Sequence, residues 1–134
     1  MQTLKFAKGI YREYCKSVKG NEELSLHQAR LKMTRNAQLA VSSVRANHAG
    51  THYRYGKLHF IVNAEGTIVW MKNHCKTPVG WKRDNQLYLK LNRELGIEEK
   101  VTHLDLVKRD AYYSIKKAFN KARFTWKKKV LETV

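Results

Sequence analysis

The side chains best suited to acid–base chemistry lie close together in the chain, between residues 48 and 59. This segment combines imidazole, phenol, guanidinium and ammonium groups. A metal-independent ribonuclease needs a base, an acid and a cation that stabilises the pentavalent phosphate, and these residue types can supply all three. The candidate catalytic residues of such an enzyme are His48, His52, Arg54, Tyr55, Lys57 and His59.

The same segment also suits nucleic-acid binding without cleavage. Tyrosine rings beside cations on a sheet can stack on unpaired bases while the cations hold the phosphate backbone. Because histidines are frequent in basic proteins and their spacing here is not diagnostic, we favour binding and keep ribonuclease activity as the alternative. The chain has no carboxylate cluster, Cys-x-x-Cys pair or glycine-rich phosphate loop, so the sequence predicts neither a metal nor another cofactor.

The charge of the whole chain favours a polyanionic partner. It has 27 Lys and Arg residues against 11 Asp and Glu residues, a net charge of +16 in 134 residues. Such an excess destabilises a compact chain by self-repulsion, and phosphates relieve it while their condensed counterions are released. We therefore expect largely sequence-tolerant contact with the phosphate backbone. An acidic protein is the alternative partner, and the oligomeric state is left open.

The cations expected to contact phosphate occupy two parts of the chain. Residues 101–134 carry the largest local excess, +6, and no acidic residue stands between Asp110 and Glu132. Solvated helices normally mix charges of both signs, so this bias favours phosphate contact. The candidate nucleic-acid-binding residues are Lys116, Lys117, Lys121, Arg123, Lys127 and Lys128, together with Arg54, Lys57, Lys72 and Lys76.

Two helices are predicted ahead of the segment that holds the histidines. Residues 3–18 have apolar side chains at helical intervals. Ser25 and Gln28 have the spacing of a capping box, and the apolar stripe that follows them continues to Val44. The second helix is therefore expected to end before Gly50.

The pattern then changes from a helical period to a period of two. Residues 51–72 alternate between apolar and polar side chains, with Gly56 and Gly66 between the runs. Alternation of this kind is typical of strands with one buried face. The sequence predicts a three-stranded antiparallel meander over this segment.

Two further helices are predicted after the meander. The first should begin at Thr77-Pro78 and close at Gly96, and the second should begin at Thr102, with Asp105 completing a capping box. We expect the apolar stripe of the last, long and basic helix to be part of the core. This stripe consists of Leu104, Val107, Ala111, Ile115, Ala118, Phe119, Ala122, Trp126 and Val130.

These elements predict an α+β fold in a single nucleic-acid-binding domain that spans residues 1–134. The length suits one core, and one proline with no Gly/Ser-rich linker argues against two tethered domains. No apolar run is long enough to span a membrane, and no signal peptide is recognisable. We therefore expect a cytoplasmic or nucleoid-associated protein whose Cys15 and Cys75 are reduced thiols.

Residues 60–78 resemble the C-terminal DNA-binding domain of the histone-like nucleoid-structuring (H-NS) family. Asn63 and Gly66 match its turn, Trp70 matches its second strand, and residues 76–78 match the loop that leads into its helix. In that family the loop enters an AT-rich minor groove. The resemblance implies a slight preference for DNA over RNA, and its matching loop residues are Asn73, His74, Cys75 and Lys76.

A second resemblance concerns the order of the predicted elements. A helix pair ahead of an antiparallel sheet resembles the layout of RelE-type toxins, which are small ribonucleases. That resemblance supports the ribonuclease alternative, whereas the charge favours an accessory or regulatory role on a larger nucleoprotein assembly, including those of phages or plasmids.

Overall fold

The chain divides into two units in a computed structural model, Met1–Glu99 and Lys100–Val134. The structure describes residues 2–18, 20–44, 50–74 and 76–133, with side chains for all of these except Val44 and residues 128–133. The single nucleic-acid-binding domain over residues 1–134 stays a prediction.

Within the described ranges, the first unit contains a sheet and three helices, and the second contains one long helix. In chain order the elements are β1 (Lys5–Phe6), α1 (Ile10–Ser17), α2 (Leu26–Leu39), β2 (Val41–Val44), β3 (Thr51–Tyr55), β4 (Leu58–Val62), β5 (Thr67–Asn73), α3 (Asn85–Leu95) and α4 (His103–Thr133). The strands form one sheet in the order β1-β5-β4-β3-β2, in which only β1 pairs in parallel. Mixed α and β structure is confirmed, but the meander is the centre of a five-stranded sheet.

The second predicted helix is shorter than expected, because its last part is a strand. The backbone becomes extended at Ala40, and Val41–Val44 pairs antiparallel with β3. Valines three residues apart fit a helical stripe and a short strand equally well, but β-branched side chains favour the pleated surface. The helix prediction was wrong over residues 40–44, and its remaining part, residues 45–49, lies outside the described residues.

The first predicted helix begins later than expected. Residues 5 and 6 form an edge strand beside β5, and α1 starts only after Gly9, whose φ of 86° breaks the helical run. The aromatic ring of Phe6 lies 6.1 Å from that of Tyr14, centroid to centroid, and stacks on it. The apolar spacing across residues 3–18 therefore reflects a strand and a helix that contribute to one core.

One face of the sheet packs against α1 and α2. Leu58, Phe60 and Val62 of β4 are buried there with Tyr14 of α1 and Met33 of α2. Because successive side chains of a strand point to opposite faces, the intervening residues of β4 belong to the other face. This second face carries the candidate site.

Three predicted helix ends are confirmed. The hydroxyl of Ser25 accepts a hydrogen bond from the Gln28 N–H at 3.2 Å. Thr102 and Asp105 form a reciprocal capping box, in which each side chain accepts from the other's backbone N–H at 3.2 and 2.9 Å. Gly96 closes α3 in the left-handed conformation, with a φ of 72°. These ends follow from short-range sequence alone.

The predicted start of α3 was wrong. The helix begins at Asn85 and not at Thr77-Pro78, because the proline carbonyl accepts a hydrogen bond from the Trp81 N–H in a turn. The carboxylate of Asp84 then accepts the N–H of Leu87 at 3.1 Å and caps the helix. Residues 76–84 consequently form a loop at the end of β5.

A buried ion pair connects α2 with α3 and the segment after it. Arg35 is almost fully buried, and its guanidinium lies 3.0 Å from the carboxylate of Glu99 and 2.9 Å from the side-chain oxygen of Asn92. It also lies 4.2 Å from the ring centroid of Tyr88, whose hydroxyl donates to Glu99. A buried guanidinium needs such partners, since an unpaired buried charge is strongly destabilising.

The apolar stripe of α4 is exposed, contrary to expectation. Trp126 is 65% exposed and Phe119 is 66% exposed. Helical spacing shows that apolar residues share a face of a helix, but it does not determine which element covers that face. The other stripe residues with described side chains, Leu104, Val107, Ala111, Ile115, Ala118 and Ala122, are exposed as well, and the side chain of Val130 lies outside the described set.

Candidate nucleic-acid interface

The sheet face opposite α1 and α2 carries two rows of side chains that run across the strands. The register places Arg54, His59 and Lys72 in one row, which we call the basic row. It places His52, Ile61 and Trp70 in the adjacent row, which we call the apolar row. Together these six residues form the histidine face.

A β-bulge in β5 accompanies this register. Ile61 pairs with Trp70, but the next residue, Val62, pairs with Ile68, so Val69 is an extra residue in β5. Bulges of this kind bend a strand and increase its local twist. Ile68 therefore lies in the core while Trp70 lies on the histidine face.

Three imidazoles form a line along this face and beyond its edge. Nδ1 of His52 lies 2.9 Å from Nε2 of His59, and Nδ1 of His59 lies 3.4 Å from Nε2 of His74. The ring of His74 stacks on that of His59, and the indole of Trp70 meets His59 at 78° with 4.8 Å between centroids. Each short nitrogen–nitrogen contact needs one protonated and one unprotonated nitrogen.

Positive charge surrounds the end of this line. Burial, together with the nearby charges of Arg54 and Lys72, lowers the pKa of His74 below its ordinary value of 6.5. The neutral form of His74 is therefore favoured while no anion is bound. A phosphate placed among these groups would have the opposite effect, since a nearby opposite charge favours the protonated imidazole.

A basic cleft of about 520 Å³ lies where the histidine face meets the loop after β5. The Arg54 guanidinium donates a hydrogen bond of 3.3 Å to the backbone carbonyl of Lys76, which joins the loop to the sheet. None of the lining residues that the structure describes is acidic. They are Arg54, Lys72, Asn73, His74, Lys76, Thr77, Pro78 and Val79.

Backbone contacts hold the end of β5 beside this cleft. The side chain of Asn73 donates to the carbonyl of Ser17 at 2.9 Å, and the N–H of His74 donates to the carbonyl of Lys57 at 2.8 Å. The strand end is thus attached to α1 and to the β3–β4 turn. Of the loop positions that match the H-NS family, residues 73, 74 and 76 line the cleft, and Cys75 lies outside the described residues.

The candidate ribonuclease residues are only partly brought together. His52, Arg54 and His59 share the histidine face, but Tyr55 lies on the other face, where its ring meets Trp81 at 79°. Burial raises the pKa of the Tyr55 phenol. Lys57 is exposed at the β3–β4 turn, and His48 lies outside the described part of the chain.

The candidate phosphate-binding cations fall into two sets. Arg54, Lys72 and Lys76 meet at the basic cleft, and Lys57 lies at the nearby turn. The second set is on α4, a separate unit, where the side chains of Lys116, Lys117, Lys121, Arg123 and Lys127 are exposed and that of Lys128 is not described. The sequence thus identified the cations of the cleft without indicating that they converge.

Sequence reasoning missed the place of Trp70 in the site. The indole is 39% exposed and lies beside His59, eleven residues earlier in the chain. In a regular strand, residues two apart share a face, so the sequence spacing would place Trp70 in the core beside Ile68. The bulge at Val69 puts the two side chains on opposite faces of the sheet.

Two other features are absent from the described residues. In the ranges that the structure covers, no group of three or more His, Cys, Asp or Glu side chains is arranged to hold a metal ion. None of the helices in those ranges is long and apolar enough to cross a membrane.

Comparisons with known proteins give a family. The YorE family model matches residues 4–94, a region that contains the whole histidine face and stops before α4. The chain is 29% identical over 106 residues to the SPbeta prophage-derived uncharacterized protein YorE of Bacillus subtilis (strain 168), covering 74% of this chain and 86% of that protein. No solved structure matches the chain. Because the family model covers more than half of its length, this chain belongs to the YorE family.

Proposed function

We propose that this protein binds nucleic acid through the basic cleft and the histidine face, in an accessory or regulatory role. The observation that carries the proposal is the convergence of Arg54, Lys72 and Lys76 on a cleft with no acidic lining residue. Cations from β3, β5 and the following loop are held together there against their mutual repulsion. A bound phosphate removes that repulsion and releases counterions from the nucleic acid.

Contact with the phosphate backbone explains why the binding would tolerate many sequences. Lysine and arginine contacts to phosphate position a protein on nucleic acid but carry no base information. The exposed cations of α4 offer a second set of such contacts, independent of the cleft. The resemblance of residues 60–78 to the H-NS family supports a slight preference for DNA over RNA.

The relative's name connects the proposal with phages. That relative is described as prophage-derived, and small basic proteins are suited to accessory roles on larger nucleoprotein assemblies. We place this protein in the same setting, as a phage or bacterial accessory protein that joins such an assembly through its nucleic acid.

A salt series with matched charge variants tests the cleft. The variant Lys72→Gln/Lys76→Gln removes two cleft cations, and Lys8→Gln/Arg12→Gln removes two exposed cations at the start of α1, the end of that helix away from Ser17 and the cleft. Binding to labelled duplex DNA, single-stranded DNA and RNA is measured by fluorescence anisotropy. The cleft variant should flatten the log–log salt dependence on duplex DNA by about two units, at roughly 0.9 per lost phosphate contact.

The control variant decides between a local site and a general charge effect. It should keep nearly the wild-type slope, because its cations lie away from the cleft. Equal slopes in the two folded variants would remove the cleft from the proposal. Charge reversal of Lys116, Lys117 and Lys121 tests α4 in the same assay.

The contact between His52 and His59 keeps a ribonuclease as the second candidate function. Two imidazoles 2.9 Å apart beside Arg54 could act as acid, base and cation. We expect the purified protein to leave RNA and DNA intact without added metal. Cleavage that is lost in His59→Ala, while that variant still binds, would establish the ribonuclease instead.

A further inference from the structure

We propose that the histidine face takes single-stranded nucleic acid, with one unpaired base stacked on Trp70. This inference rests on the proposed function and adds the form of nucleic acid that the site prefers. It depends on how an exposed indole and a row of cations are placed on the same sheet.

Two tryptophans of the first unit have different environments. Trp81 lies against Tyr55, and a Cβ on Gly56 would come within 3.5 Å of its ring. Trp70 contacts His59 but remains 39% exposed. A single exposed apolar residue is ordinary on a protein surface. Trp70 is significant because of the residues beside it.

Those neighbours are cations in the adjacent row. Trp70 and Lys72 lie two residues apart on β5, so they are about 6.6–6.8 Å apart along the strand. Lys72 pairs across the sheet with His59, which in turn pairs with Arg54. An aromatic ring therefore lies directly beside a row of positively charged and ionisable groups.

A single strand of nucleic acid has the complementary layout. Its phosphates lie along one side and its unpaired bases can turn to the other, so the backbone can follow the basic row while a base covers the indole. The bases of a duplex are stacked inside the helix and present only their edges in the grooves. A duplex could reach the cations of this face but could not place a base on Trp70.

The experiment compares strand forms and tryptophan variants. The probes are oligo-dT, oligo-U and a blunt DNA duplex of the same length, and the variants are Trp70→Ala, Trp70→Phe and Leu26→Ala. The last is the control for loss of an exposed apolar side chain, since Leu26 is 50% exposed on α2, which packs on the opposite face of the sheet. Thermal unfolding of each variant reports whether the fold is kept.

The wild-type protein should bind the single strands more tightly than the duplex. Trp70→Ala should weaken binding to them about 5- to 150-fold, the range measured for loss of one base–aromatic stack. Trp70→Phe should lose less affinity for single strands, because phenylalanine retains an aromatic ring. This variant also provides the test if Trp70→Ala fails to fold. The control should bind like the wild type, and duplex affinity should change little in any variant.

Three results would overturn the inference, and they have different meanings. Equal weakening of single-strand and duplex binding by Trp70→Ala would show that the indole has no role specific to single strands. Binding of the duplex alone would reject the single-strand preference and leave the proposed function standing. Failure to bind any of the three probes would reject both. Comparison of oligo-dT with oligo-U separates DNA from RNA.

Discussion

Nδ1 of His52 lies 2.9 Å from Nε2 of His59, although the two residues are diagonal and not direct partners in the β3–β4 ladder. His52 pairs with Ile61, and His59 pairs with Arg54. The contact therefore depends on the register of this ladder. It also limits protonation, because two imidazolium rings would present N–H groups to each other at this contact and lose the hydrogen bond.

Nucleic-acid binding should become tighter as the pH falls. His74 has a lowered pKa and faces Arg54, Lys72 and His59, so a bound phosphate favours its protonation. We expect affinity to rise between about pH 8 and about pH 5, the range in which histidines titrate. His74→Gln should reduce this dependence. Anisotropy titrations at constant ionic strength provide the measurement, and an unchanged pH profile in that variant would contradict the assignment.

In the absence of nucleic acid, His74 should make the fold less stable in acid. Because the pKa of His74 is lowered from 6.5, the unfolded chain takes up this proton first as the pH falls. Stability should decrease below about pH 6.5 and level off once the folded protein is also protonated. Urea unfolding across this range, compared between the wild type and His74→Gln, isolates the contribution.

Truncation of Phe60 should lower the free energy of unfolding far more than truncation of Trp126. Phe60 is fully buried in the core, so Phe60→Ala should cost about 3–5 kcal/mol of unfolding free energy. Trp126 is 65% exposed, so Trp126→Ala should stay within about 0.5 kcal/mol. Chemical denaturation measures both. A comparable loss in the two variants would mean that the α4 stripe is covered in solution.

Glu99→Gln should be strongly destabilising. Burial opposes ionisation of Glu99, but Arg35 and the hydroxyl of Tyr88 outweigh it, so its pKa is lowered. The substitution leaves the buried guanidinium without its counter-charge, at a cost of about 3–5 kcal/mol. The exposed Glu94, paired with Lys90, provides the control, and Glu94→Gln should cost about 0–1 kcal/mol.

The ion pair of Arg35 and Glu99 should stabilise the fold less as the pH falls. Since the pKa of Glu99 is lowered from 4.5, its contribution to stability is present above that value and is lost as the pH falls through the folded-state pKa. The wild type should therefore lose more stability in acid than Glu99→Gln does. Parallel acid unfolding curves for the two proteins would refute this assignment.

Gly50→Ala should disrupt the start of β3. A Cβ there would lie 2.0 Å from the carbonyl oxygen of Val62 and 2.8 Å from the Cα of Asn63, so strand backbones would have to separate. Gly20→Ala is the control, because it also has a positive φ but nothing within 4 Å. Thermal unfolding should show a much larger loss at Gly50, and equal losses would indicate that backbone conformation, not space, is limiting.

Features that depend on near neighbours could be predicted from the sequence. The capping residues Ser25 and Thr102 act within three positions, and Gly96 acts through its own φ angle. The alternation in residues 51–72 likewise reports a local property of the strands. In these cases the interacting groups are near in sequence, so their spacing contains the information.

Features that depend on distant partners could not be predicted. Val41–Val44 becomes a strand only because β3 offers an unpaired edge, and the two-residue β1 exists only beside β5. The site could likewise be predicted only in part. Its cations were identified one by one, but their convergence depends on the strand register and on the path of the loop after β5, and no spacing in the sequence specifies either of these.

The extra residue in β5 determines how the sheet tolerates changes in length. Residues 68 and 71 are both buried, an interval of three that a regular strand could not accommodate. Deletion of Val69 would leave the pairs Ile61–Trp70 and Val62–Ile68 consecutive, and every side chain would keep its face. A gap at this position in an alignment of YorE relatives would therefore mark a flatter sheet, with the same side chains still on the histidine face.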